Sequence, residues 1–134
     1  MGVQPIDKEH LMAANLSAAL TPYGIDYEDA MDRFGGNGEL FGRLAAKYLE
    51  SDSYARLVAA MEMHDFDEAY RQAHSLKGIA GNLSFTKLYN VSAEMAGNLR
   101  EGEYLAAESF LPDVEDAHRR VVEGLEKLEA GALF

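Results

Sequence analysis

The sequence predicts an all-α fold, an antiparallel (up-down) four-helix bundle with additional N-terminal helices. Three observations lead there. Strand-type alternation of apolar and polar residues is absent, and only Pro5, Pro22 and Pro112 punctuate the chain. Ala, Leu, Glu and Met dominate, and all four favour helix. Successive segments carry one apolar stripe each and are joined by short connections, as in an up-down bundle.

The first helix is expected from Lys8 to Leu20, capped by Asp7, with Met12, Leu16 and Leu20 as its stripe. Thr21-Pro22-Tyr23-Gly24 is a turn that ends it. A short helix follows Asp26, from Tyr27 to Phe34, and Gly35-Gly36 stops it. Asn37 can cap a long helix reaching about Met63, with Leu40, Leu44, Tyr48 and Leu49 on one face. Ser51-Asp52-Ser53 is a point where that helix breaks or bends. After a turn at His64-Asp65, a helix opening at Asp65 or Phe66 runs to about Leu83. Another starts at Ser84 or Phe85 and stops at Gly102. The last covers Tyr104 to Ala130, and Pro112 is expected to kink or restart it. Residues 1–24 thus form an N-terminal helical extension and residues 25–130 the bundle domain.

The balance of 12 basic against 23 acidic residues, 12 − 23 = −11, leaves no basic run to neutralise phosphates. This argues against nucleic acid and against an anionic membrane surface as partners. With no cysteine there is no disulfide, no thiolate metal site and no thiol nucleophile. No apolar run is long enough to span a bilayer. MGVQPIDKEH is too polar for a secretory signal, and Ile6 fails the myristoylation pattern. A soluble, cytoplasmic, monomeric protein of one domain is the expectation.

The informative segment is the helix from Phe66 to Leu83. Phe66, Ala69, Ala73, Leu76, Ala80 and Leu83 fall within an arc of about 100° and form a seam toward a core. His74 lies about 120° from the middle of that arc and therefore points outward. Gly78 and Gly81 lie within about 40° of His74 on the same wheel. Each costs a helix about 1 kcal/mol against alanine, so two beside one histidine call for a reason. The simplest is space for a tetrahedral group or another protein to reach the imidazole. Lys77, on an adjacent line, can reach the same spot. An imidazole nucleophile, a nearby ammonium and a bare surface suit a phosphoryl acceptor.

Ala73-His74-Ser75-Leu76-Lys77-Gly78, followed by Gly81-Asn82-Leu83, resembles the H-x-L-K-G signature of histidine-containing phosphotransfer (HPt) domains. Ile25 to Ala30, Arg33 to Gly36 and Leu83 to Tyr89 also resemble segments common in that family, and the likeness covers about Ile25 to Leu128. The resemblance implies that His74 is the phosphorylated residue, Lys77 stabilises the phosphoryl group, and Gly78 keeps the approach face open. Two positions depart from the pattern. Ser84 stands where glycine is usual, ten residues after the histidine. Ala96 stands where a Gln or Glu commonly orients the imidazole, which leaves Glu94, Asn98 or water as substitutes. Arg100 lies further along the same helix and could face the site.

The other histidines read differently. His118 falls on the seam Leu111, Val114, His118, Val121, Leu125 and Leu128, and is expected to be packed and hydrogen-bonded. His10 and His64 are expected to be solvated. Glu115 and His118 form one Glu-x-x-His, whereas a di-iron bundle needs two, so no metal site is expected. No phosphate loop, catalytic triad or dinucleotide fingerprint occurs.

By resemblance the chain is a phosphorelay intermediate without a kinase or nucleotide-binding domain of its own. It would take a phosphoryl group from the aspartyl phosphate of a response-regulator receiver domain and pass it to another. A hybrid histidine kinase is among the candidate partners. No cofactor is expected on this chain; Mg²⁺ would belong to the receiver. The alternative is a degenerate HPt-like module that docks on a partner without carrying phosphate.

Overall fold

The computed structural model describes residues 8–131, with side chains from Ala14 onward. Among them are seven α-helices: α1 Lys8–Leu20, α2 Tyr27–Arg33, α3 Gly38–Glu50, α4 Ser53–Glu62, α5 Phe66–Asn82, α6 Thr86–Arg100 and α7 Tyr104–Glu129. A 3-10 turn, Thr21–Tyr23, follows α1. The expected Asp7 cap, and the side chains of His10 and Met12, lie outside the described residues.

Local chemistry sets most of the boundaries. Asp26, Asn37 and Asp65 each accept a hydrogen bond from the backbone N–H three residues on, at 3.0, 3.0 and 3.2 Å. Such caps satisfy donors that the first helical turn leaves without partners. Gly35 and Gly36 take φ of 61° and 80°, a left-handed path that ends α2 at little steric cost.

The segment expected to run from Asn37 to about Met63 is two helices, α3 and α4, separated at Ser51-Asp52. Ser51 is extended at ψ 140°, and its hydroxyl accepts from the Ser53 N–H at 3.3 Å. The side chain thus supplies the backbone partner that a continuous helix would have supplied. The face of α3 also differs from expectation. Phe41, Ala45 and Tyr48 are buried, while Leu40, Leu44 and Leu49 are only partly so. Pro112 neither restarts nor ends α7. It and Glu108, whose carbonyl loses the i+4 donor, are both exposed, so water can serve that carbonyl.

Helix α5 packs on α4 and α6, α6 on α7, and α7 also touches α3, α4 and the 3-10 turn. The shared core includes Leu57, Leu76, Phe85, Leu88, Met95 and Leu125. Leu20 at the end of α1 and Ile25 after the turn are buried in the same core. The turn reaches α7 at Gly124. A Cβ there would lie 2.7 Å from Tyr23 Cβ and 2.8 Å from its Cγ. Lys127 Nζ, one turn on, donates to the Tyr23 hydroxyl at 2.7 Å.

Gly124→Ala is therefore expected to destabilise the protein by about 1–2 kcal/mol, because the near end of Tyr23 cannot swing aside without moving the turn. Urea unfolding measures it. A midpoint equal to the parent's would show that the turn yields without cost.

Candidate functional site

Helix α5 starts on the Asp65 cap, with Asp67 and Glu68 in its first turn, where carboxylates favour the positive end of the helix dipole. Ala69, Ala73, Leu76 and Ala80 are buried, and Leu83 just beyond the helix is too. The seam is mostly alanine, which lets neighbouring helices approach closely. That fixes the opposite side of α5 toward solvent, and His74 and Gly78 are exposed there. Lys77 is half-buried between this side and the seam.

The two glycines separate. A Cβ at Gly78 would meet nothing within 4 Å, so the space beside it is open. A Cβ at Gly81 would lie 3.2 Å and 3.3 Å from the ring of Tyr89 on α6. The expectation that both glycines leave room for an outside group is thus corrected at Gly81, where the chain's own tyrosine fills the space.

Arg71 donates to Glu68 at 2.7 and 3.0 Å, and Gln72 Nε2 donates to the same carboxylate at 2.7 Å. Those bonds, Gln72 first and Arg71 second, hold the Glu68 carboxyl below the usual carboxylate range. Arg71 and Gln72 are thereby drawn toward the start of the helix. Lys77, three residues after His74, makes no ion pair among the described residues.

No described side chain hydrogen-bonds the His74 imidazole. Ala96, at the position where the resemblance places an orienting group, is buried and has no polar atom. Glu94 is exposed and Asn98 half-buried. Arg100 pairs with its neighbour Glu101 at 3.5 Å. The neighbour that sequence reasoning passed over is Tyr70, whose ring stacks with that of His74 at a centroid distance of 5.8 Å and 28° between planes. The i, i+4 spacing of two rings was the available signal.

Ser84 follows α5 with φ 58°, in the left-handed region where glycine is favoured. Its hydroxyl donates to the Asp29 carboxylate at 2.7 Å, and its carbonyl accepts from the Asp26 N–H at 2.9 Å. Asp29 also accepts from Arg33 Nε at 2.9 Å. Two contacts with the start of α2 offset the strain, so a serine stands where glycine would be the unstrained choice.

The other described histidines are placed elsewhere. His64 is exposed in the α4–α5 turn at φ 55°, its ring 5.5 Å from that of Phe66. His118 on α7 is half-buried. Its Nδ1 lies 2.6 Å from the Tyr48 hydroxyl, and its ring stacks on Tyr54 at 4.2 Å. Burial holds its pKa below the usual histidine value. The unfolded chain then takes up a proton before the folded one does. Stability from this group is complete above about pH 6.5 and falls as pH drops toward the lower folded value. Between pH 7.5 and 5.5, His118→Gln should lose less melting temperature than the parent. Parallel curves for the two proteins would refute the burial account. Among the described residues no group of three or more His, Asp or Glu could hold a metal ion.

Helix α5, packed between α4 and α6, carries one histidine exposed to solvent. A lysine follows it by three residues, an open glycine lies one turn on, and an aromatic ring lies one turn back. An imidazole so placed can act as a nucleophile toward a group delivered by another molecule. A family model described as Hpt domain matches residues 46–131, which contain this whole constellation. No curated protein and no solved structure matches the chain.

Proposed function

Because the chain belongs to the Hpt domain family, whose members carry phosphoryl groups on histidine in phosphorelays, we propose that it relays such a group through His74 between two receiver domains. The single observation that carries this reading is the exposed His74 of α5 with an open surface at Gly78 beside it. A nitrogen lone pair of the imidazole attacks the phosphorus of a receiver's aspartyl phosphate. The P–N bond forms, the P–O bond breaks, and the aspartate leaves as carboxylate with the electron pair. The return step, to a second receiver, reverses this. Lys77 offsets charge on the phosphoryl oxygens as they crowd toward the ring. Gly78 lets the receiver's loops approach to in-line distance.

The supporting scaffold is an up-down four-helix bundle of α4 to α7, with α1 to α3 as additional N-terminal helices. What supports it is that each of these four packs on the next in sequence across a short link. Residues 25–130 form the working unit and residues 1–24 its extension. Mg²⁺ resides on the receiver, and a hybrid histidine kinase is a further candidate partner. The described helices include none long and apolar enough to cross a membrane. The proposed role is that of a cytoplasmic phosphocarrier that works without its own kinase.

The test is incubation of the full chain with a receiver phosphorylated on aspartate. Acid-labile phosphate should appear on this chain and then leave for a second, unphosphorylated receiver. A chain that binds receivers yet never takes label would instead be a docking module.

A further inference from the structure

Among the described residues His74 has one aromatic neighbour, contributed by its own helix. Tyr70 lies one turn earlier, its ring stacked with the imidazole at 5.8 Å and 28°. That distance and tilt fall within the range of attractive offset stacking. The two rings differ in freedom. Tyr70 is half-buried and packs against the core, so its ring is held, whereas the His74 ring projects into solvent. Phe66, another turn back, is itself stacked face to face on Tyr104 of α7 at 3.9 Å. Aromatic rings thus occupy positions 66, 70 and 74 along one side of α5, anchored at one end and exposed at the other.

Among the described residues no polar side chain, Glu94 and Asn98 included, hydrogen-bonds the ring. Ala96 offers only a methyl group, and Arg71 and Gln72 are both bonded to Glu68. An imidazole on an open surface with no hydrogen bond samples several rotamers, and only some of them present a ring nitrogen outward. Resting on the phosphotransfer reading, we infer that Tyr70 is a positioning residue for His74. Its ring restricts rotation of the imidazole by stacking, and so raises the share of encounters that find a nitrogen aimed at the incoming phosphorus.

Tyr70→Leu keeps an apolar side chain against the core and removes the flat ring. Tyr70→Phe keeps the ring and removes only the hydroxyl. Two readouts separate positioning from folding: the first-order transfer rate at saturating phosphorylated receiver, and the ¹H and ¹³C resonances of the His74 ring. Tyr70→Leu should slow transfer about three- to tenfold with the half-saturating receiver concentration unchanged. Its His74 ring resonances should shift as the stacked ring is lost. Tyr70→Phe should restore both. Equal rates in Tyr70→Leu and the parent would overturn the proposal, as would unmoved ring resonances. A change in half-saturation alone would also overturn it, since Tyr70 would then be a docking contact. Equal loss in Tyr70→Phe would assign the effect to the hydroxyl and equally reject stacking. If the parent takes no phosphate, the phosphotransfer reading fails, while the ring resonances still decide whether Tyr70 orients the imidazole.

Discussion

His74→Gln is expected to accept no phosphate from a phosphorylated receiver, while its unfolding free energy stays within about 0.5 kcal/mol of the parent's. Glutamine has a similar reach but no nucleophilic ring nitrogen, so no P–N bond can form. Little stability should go with it. The side chain is exposed, no hydrogen bond among the described residues ends on it, and its stacking on Tyr70 is all that is lost. The other described histidines are poor substitutes: His118 is held between Tyr48 and Tyr54, and His64 lies in a turn without a lysine three residues on. Radiolabel transfer read beside a melting curve checks both halves. Label that persists in His74→Gln would move the acceptor to another residue.

Gly78→Gln should produce two effects of opposite sign. A Cβ at Gly78 meets no atom within 4 Å, so the new side chain fits without a clash inside the protein. Leaving glycine behind in a helix interior should then stabilise α5 by up to about 1 kcal/mol. The same side chain stands one turn from His74 on the exposed side. A receiver held back by about an ångström loses in-line geometry, and transfer should fall about a hundredfold. The contrast with Gly81 is the control. There a Cβ would lie 3.2 Å from the exposed Tyr89 ring, which must shift, so Gly81→Gln should gain less stability than Gly78→Gln. A Gly78→Gln protein that is less stable but transfers at the parent's rate would mean that the glycine serves helix packing.

Much of the framework is legible in the sequence where local chemistry decides it. Asp26, Asn37 and Asp65 announce helix starts because a short acceptor side chain before an apolar periodic run has little else to do. The α5 seam is legible because its alanines and leucines keep a strict helical period, and that period is also what turns His74 outward. The face of α3 is harder to read. Apolar residues occupy much of its circumference, and only the neighbouring helices select Phe41 and Ala45 over Leu40 and Leu44. Pro112 does not restart the helix, since a carbonyl facing water does not need the missing donor. Gly124 and Ser84 lie beyond local reading altogether. Each is explained by a partner far away in sequence, Tyr23 in one case and Asp29 in the other. Tyr70 is different: its relation to His74 is local, but the seam and the glycines draw attention first.

The exposure of His74 has a consequence, on the proposed reading, for how long a phosphorylated state would last. Water would reach a phosphoramidate on an exposed ring as freely as a protein would. Its lifetime would then be governed by the intrinsic lability of the P–N bond and by how often an acceptor collides with it. Such a chain would not meter the signal. It would act as an open junction, in which flux follows the relative abundance and phosphorylation of the proteins on either side and reverses when those are reversed.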